Sequence, residues 1–188
     1  MKVRCFVAID LCQVVKNALT SLEENVKRCE ADVKLVSPEI LHFTVKFLGD
    51  VEETRLGEIK SALESVLGGR KTFKVGIVGL GFHGSERFVR NVWVGVGEGR
   101  EELTRLFEEI NEVLEGKIFR SEGYPINPHI TICRTRSQRN AEALLRLVKE
   151  KESERFGEMV IDEVKLKRSE LSPEGPKYSD LFACRLGD

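Results

Sequence analysis

Three histidines are present in 188 residues, and two of them stand in the same short pattern. Leu41-His42-Phe43-Thr44-Val45-Lys46-Phe47-Leu48-Gly49 and Asn127-Pro128-His129-Ile130-Thr131-Ile132 each place a histidine two residues before a threonine, with apolar residues between. Alternation of this kind is strand periodicity. It predicts His42, Thr44 and Lys46 on one face and Phe43, Val45 and Phe47 on the other. Two imidazoles can serve as general acid and general base, because histidine holds or releases a proton near neutral pH. The hydroxyls of Thr44 and Thr131 lie on the same faces and can donate hydrogen bonds to an oxyanion between the rings. A phosphodiester answers to that set, with its electrophilic phosphorus, two non-bridging oxygens, and attacking and leaving oxygens in line. Neither histidine has a partner at metal-ligand spacing, so a mechanism without metal or cofactor is expected.

The elements that must position these groups follow from periodicity. Val3 to Ile9 reads as a strand, and Asp10-x-x-Gln13 resembles a capping box opening a helix with Val14, Val15, Ala18, Leu19, Leu22 and Val26. A short strand at Val33 to Val36 ends at Ser37-Pro38, and the His42 strand follows. Asp50-x-x-Glu53 reads as a second cap, opening a helix that Gly68-Gly69 stops, and Thr72 to Val78 is again extended. The second half replays this order: a strand at Asn91 to Val96, a helix from Glu101 to Leu114 closed by Gly116, a break at Tyr124-Pro125, then the His129 strand. Ser137 is expected to cap a further helix, Met159 to Leu166 to be a strand, and residues 165–186 to form a C-terminal hairpin.

One displacement, 87 residues, carries Phe6 onto Trp93, Pro38 onto Pro125, His42 onto His129 and Thr44 onto Thr131. The expected fold is therefore α+β: one domain of two pseudo-symmetric, interleaved lobes, each an antiparallel sheet flanked by helices. The repeat spans roughly 3–78 and 90–165. A pseudo-twofold axis would bring both His-x-Thr faces to one central cleft.

Composition narrows the classes. With 41% hydrophobic and 32% charged residues the chain reads as a soluble globular protein. No apolar run approaches the roughly 20 residues of a membrane span, and Met1 to Val7 reads directly as a strand, so a cytoplasmic protein is expected. Five scattered cysteines without a Cys-x-x-Cys pair imply neither a zinc site nor a disulfide framework. A net charge of −1 means that an anionic substrate must be met by local positive charge. Nothing in the sequence calls for an oligomer, and a monomer is expected.

Arg134, five residues after His129, is a candidate phosphate contact. Lys46 is a weaker one. Cys133 is expected on the His129 face as packing. Gly79-Leu80-Gly81-Phe82-His83-Gly84 matches Gly-x-Gly-x-x-Gly, but extended chain rather than a helix follows it. It therefore reads as a glycine-rich bend, not a dinucleotide site, with His83 in a surface loop.

Taken together, these stretches resemble the 2H phosphoesterases, specifically the LigT-like RNA 2′,3′-cyclic phosphodiesterases, also called 2′-5′ RNA ligases. The resemblance spans nearly the whole chain. It rests on the two His-x-Thr stretches, on Arg4 to Asp10, Gly79 to Phe82, Trp93 to Val96 and Pro128 to Arg134, and on Leu171 to Tyr178. It implies metal-independent opening of RNA 2′,3′-cyclic phosphates to 2′-phosphomonoesters, on RNA ends such as those derived from tRNA, with 2′-5′ ligation as a reverse reaction in some relatives. It also implies His42 as proton donor to the departing 3′ oxygen and His129 as acceptor from water. Thr44, Thr131 and Arg134 would hold the phosphate, and Phe6 would either stack on the terminal base or pack in the core. Leu35 stands where relatives often carry tryptophan, and Val89 where proline often precedes the arginine, which bears on packing and RNA contacts rather than on the acid–base pair. Two other readings of the same cleft are a non-catalytic RNA-end-binding protein and a phosphodiesterase of small cyclic nucleotide phosphates.

Overall fold

A computed structural model describes residues 1–117, 125–173 and 175–187. Among these residues nine strands and four helices follow one another as β1 (Lys2–Asp10), α1 (Gln13–Arg28), β2 (Val33–Leu35), β3 (His42–Glu52), α2 (Leu56–Leu67), β4 (Phe73–Ser85), β5 (Phe88–Val96), α3 (Arg100–Lys117), β6 (Ile130–Thr135), α4 (Ala141–Glu150), β7 (Arg155–Ile161), β8 (Glu163–Ser172) and β9 (Gly175–Arg185). They build two antiparallel sheets, ordered β3-β1-β8-β9 and β2-β6-β5-β4-β7.

The two orders share a plan. Strand β1 lies between β3 and β8 as β5 lies between β6 and β4, and β2 is added at the edge beside β6. Each sheet takes strands from both halves of the chain. The expected strand Met159 to Leu166 is in fact divided at Asp162, β7 ending in the five-stranded sheet and β8 starting in the other. Helices cross over too: α1 packs on β7 and α4, while α2 packs on α3 and β9. Buried aliphatic stripes drive this, with Val15, Leu19, Leu22 and Val26 of α1 and Ile59, Leu63 and Leu67 of α2 facing inward at helical spacing. All belong to one continuous core.

The expected caps are corrected. Asp10 does not cap α1, whose N-cap is Cys12 without a side-chain bond. Its carboxylate instead pairs with Lys165 and Lys167 on β8, at 3.0 and 2.9 Å. Asp50 lies inside β3, and a single 3-10 turn at Glu53–Arg55 precedes α2. Ser137 sits four residues ahead of α4, bonded to the Asp32 carboxylate, and Asn140 takes the N-cap position in the left-handed region at φ 55. Helix α3 runs through Gly116 to Lys117. Tyr124 and Glu174 lie outside the described residues, so the break expected at Tyr124-Pro125 is described only from Pro125 on.

The larger correction concerns the glycine-rich stretch. Residues 79–84 are not a bend but the continuation of β4, paired with β5 through Gly81↔Trp93 and His83↔Asn91. Register shifts at Val78/Leu80 and His83/Gly84 coincide with Gly79 and Gly84, whose φ values of 78 and 113 only glycine adopts without strain. Gly81 serves differently: a Cβ there would lie 2.3 Å from the Trp93 ring, so the indole lies flat over the bare backbone.

Candidate active site

Strands β3 and β6 approach each other across the molecule and present the two motifs to a common cleft. The histidine rings are held in the same way. His42 Nδ1 lies 2.6 Å from the carbonyl oxygen of Ile40, and His129 Nδ1 lies 2.7 Å from that of Asn127. A carbonyl oxygen can only accept, so Nδ1 carries the hydrogen in both rings, and Nε2 is the nitrogen left for chemistry. His42 Nε2 is 3.0 Å from the Thr44 hydroxyl.

Each ring is also backed by an aromatic residue. Phe6 lies behind His42 at 5.0 Å between centroids, and Trp93 behind His129 at 5.7 Å. A second ring meets each histidine edge-on: Tyr178 at 5.5 Å from His42, and His83 at 4.9 Å from His129. Phe6 and Trp93, Ile40 and Asn127, and Thr44 and Thr131 are all related by the 87-residue displacement, so the repeat extends to the second layer of the site.

A repeated irregularity decides which side chains follow the threonines. Opposite β1, Val7 pairs with Lys46 and Ala8 with Thr44, which leaves Val45 as an extra residue. Opposite β5, Val92 pairs with Cys133 and Trp93 with Thr131, which leaves Ile132 extra. Each bulge resets the alternation. The cleft face therefore continues with Phe47 after Thr44 and with Arg134 after Thr131, while Cys133 turns inward and the largely buried Lys46 is drawn to the α3 wall of the His129 half. Phe47 is 59% exposed instead of lying in the core. Lys46, 4% exposed in its side chain, reaches Glu115 at 2.7 Å and Asn111 at 3.0 Å on α3. Burial pushes the Cys133 thiol up to about 11, so it is inert packing.

The cleft has two halves, with Thr44, Phe47, Thr131 and Arg134 lining both. The His129 half, about 870 Å³, adds His83, Asn91 and the cleft-facing side of α3. The His42 half, about 470 Å³, adds Lys34, Lys177 and Tyr178. Together they have room for a nucleotide.

Both imidazoles hold their protons less tightly than a free histidine. For His42 burial is the main cause, opposed by the Ile40 carbonyl and the Asp10 carboxylate and reinforced by Lys167 and Arg134. For His129 burial again leads, the Asn127 carbonyl opposes it, and His83 and Arg134 both add to it. Arg134 favours the neutral form of both rings; among the described residues, what separates them is the Asp10 carboxylate, which favours a charged His42, and His83, which favours a neutral His129.

Of the residues singled out from sequence, His42, Thr44, His129, Thr131 and Arg134 meet in this cleft. Phe6 does not open onto it. The residue is 2% exposed, its ring packed against His42, Phe47 and Tyr178, which leaves no room for a base. Among the described residues, the aromatic side chains open to this half are those of Phe47 and Tyr178. His83 is not a surface-loop residue: it lines the cleft, and its Nδ1 is 2.8 Å from Asn91 Oδ1. The 87-residue repeat could have flagged the backing role of Phe6 and Trp93, but no local signal marks His83. Among the described residues no group of three or more His, Cys, Asp or Glu is gathered as a metal site. None of the described helices is long and apolar enough to cross a membrane.

The LigT like phosphoesterase family model matches this chain twice, over residues 9–94 and 94–178. The chain belongs to that family. The two matches follow the duplication seen in the strand orders, one His-x-Thr stretch falling in each. Among relatives of this LigT like phosphoesterase is an RNA 2′,3′-cyclic phosphodiesterase of Methanothermobacter thermautotrophicus, 38% identical, with 99% of this chain and 100% of that one covered. A second, from Archaeoglobus fulgidus and of the same name, is 35% identical over 95% of this chain and 97% of that one. A crystal structure of TT0787 of Thermus thermophilus superimposes with a TM-score of 0.82 at 26% identity, covering 97% of both chains. E. coli LigT complexed with 3′-AMP shares the fold, with a TM-score of 0.78 at 18% identity and full coverage of both chains.

Proposed function

We propose that this LigT like phosphoesterase hydrolyses RNA 2′,3′-cyclic phosphate ends to 2′-phosphomonoesters by paired-histidine acid–base catalysis, without a metal ion. The observation that carries the reading is the matched pair of rings, each with Nδ1 tied to the carbonyl two residues earlier and Nε2 left for the cleft. Full-length relatives named RNA 2′,3′-cyclic phosphodiesterase support the substrate class. RNA ends derived from tRNA cleavage are substrates of this type.

In the proposed step a water oxygen attacks phosphorus and the bond from phosphorus to the 3′ oxygen breaks. Neutral His129 takes the water proton at Nε2, and charged His42 delivers a proton from Nε2 to the departing oxygen. Thr44 and Thr131 donate hydrogen bonds to the non-bridging oxygens, and the Arg134 guanidinium offsets their charge. Asp10 near His42 and His83 near His129 support this division of roles, while Arg134 acts alike on both rings. The deciding assay is hydrolysis of an oligoribonucleotide ending in a 2′,3′-cyclic phosphate, in EDTA, with the position of the product phosphate identified. A 2′-phosphate is expected, and His42→Ala and His129→Ala are each expected to lower the rate by roughly 10²–10⁴-fold. Binding without turnover would point to an RNA-end-binding protein instead, and near-full activity of either variant would remove that histidine from the mechanism.

A further inference from the structure

The two halves of the cleft differ in charge, and the difference follows the direction of the reaction. The described lining of the His42 half holds three cations, Lys34, Arg134 and Lys177, against the single carboxylate of Glu39, which accepts a hydrogen bond from the Ser37 hydroxyl. Arg4 and Arg134 also act on the Tyr178 phenol in this half. The described lining of the His129 half holds three carboxylates, Glu108, Glu112 and Glu115, on one side of α3, against Lys46 and Arg134. Lys46 is paired with Glu115, which leaves the exposed Glu108 and Glu112 to set the character of that wall.

In-line displacement puts the attacking and leaving oxygens on opposite sides of phosphorus. The leaving oxygen belongs to the terminal ribose, so with His42 as its proton donor the ribose and the strand behind it lie in the His42 half. That half offers positive charge for phosphates and exposed rings for a base. The attacking oxygen arrives from the His129 half. Water brings no charge there, whereas a second RNA strand attacking through its 5′ hydroxyl brings a phosphodiester with every nucleotide.

We propose that Glu108 and Glu112 select the nucleophile: the His129 half admits water and small uncharged alcohols but disfavours a second RNA 5′ end, so this enzyme opens cyclic phosphates far more efficiently than it joins strands. The inference rests on the acid and base roles proposed above. It assigns a specificity function to two side chains that take no part in the proton transfers.

The test gives one cyclic-phosphate oligonucleotide two competing acceptors, an oligoribonucleotide with a 5′ hydroxyl and methanol. It compares the wild-type enzyme with a Glu108→Gln/Glu112→Gln variant. The wild-type enzyme is expected to form the 2′-phosphate and, in proportion to methanol, its methyl ester, with joined oligonucleotide formed far less efficiently, mole for mole, than the ester. The variant is expected to hydrolyse at the wild-type rate and to raise joining by roughly three- to tenfold over the wild-type level. Half-molar salt should raise joining in the wild-type enzyme as well, since exposed charges beyond about 4–5 Å are then screened. Joining by the wild-type enzyme as efficient, mole for mole, as methanolysis overturns the inference. So does a variant that forms methyl ester but joins no better than wild type. Absence of both hydrolysis and methanolysis would instead sink the catalytic reading itself.

Discussion

His42 and His129 share a tautomer but not an electrostatic setting. Asp10, on the strand beside His42, favours its charged form, while Lys167 and Arg134 oppose it. His129 faces His83 from β4 and Arg134 from its own strand, with Lys46 on β3 and Glu108, Glu112 and Glu115 on α3 lining the same half. His83, edge-on to His129, makes protonation of the base harder, so the base stays competent to lower pH. His83→Gln removes that influence and keeps a polar group toward Asn91. The acid limb of the pH–rate profile is then expected to move to higher pH, with kcat near neutrality little changed. A uniform loss at every pH, with the limb unmoved, would mean that His83 only packs against the ring. Asp10→Asn is the mirror case. Without the carboxylate, His42 gives up its proton at lower pH, so the alkaline limb is expected to move down. An unmoved alkaline limb would argue against His42 as the acid. Both limbs belong to a coupled pair, so the shift on substitution is the informative quantity.

Strand pairing decides which side chains reach the cleft. The Trp93 indole backs His129 because Gly81 on β4 leaves it a flat surface. Gly81→Ala drives a methyl group into a rigid ring, and a loss of about 1–3 kcal/mol is expected, with reduced activity through displaced His129. Gly57, at the start of α2, is the control, because an added methyl group there would meet no heavy atom within 4 Å. Gly57→Ala is expected to gain up to about 1 kcal/mol from helix propensity, with activity unchanged. Denaturant melts and assays of both variants check the pair. The same elements show what local sequence carries. Helical spacing located all four helices, and alternation located the two motif strands. Alternation failed at Val45 and Ile132, because those bulges arise from pairing with β1 and β5. Plain alternation therefore sets Phe47 in the core and Cys133 on the His129 face, whereas Phe47 opens onto the cleft and Cys133 is buried; Lys46 does line the cleft, but paired with Glu115 on α3. Arg134 was reached through its nearness to His129 and the family resemblance, not through strand geometry. The glycines around His83 read as a bend because glycine suits a turn and a flattened strand equally. Asp10 read as a cap because its lysine partners lie more than 150 residues away in sequence.

At the scale of the whole molecule, the interleaving ties the site to global stability. Neither half of the sequence owns a sheet, so the cleft forms only when both halves have folded together. Folding buries two imidazoles, and burial is the leading cause of their lowered proton affinity. The unfolded chain, with ordinary histidines near 6.5, therefore binds more protons than the folded one between that value and the lower folded values. Stability from this source is complete above about pH 6.5 and falls as the pH drops toward the folded values. The lowered carboxyls of Asp10 and Asp180, each held down by Lys167 and Lys165 against the effect of burial, act in the same sense but only near and below their ordinary value of 3.8. The window between pH 7.5 and 5 thus belongs mainly to the histidines. The Tm is expected to fall across it in the wild-type protein and to fall less in His42→Asn/His129→Asn, which cannot take up those protons. Inorganic phosphate adds a further discrimination. An anion between the rings favours their charged forms, so phosphate should raise the wild-type Tm more at pH 5.5 than at pH 7.5, and the double variant should lose that difference. An equal phosphate effect at both pH values would mean that the anion binds away from the two imidazoles, and the cleft would then lose its claim to the phosphate.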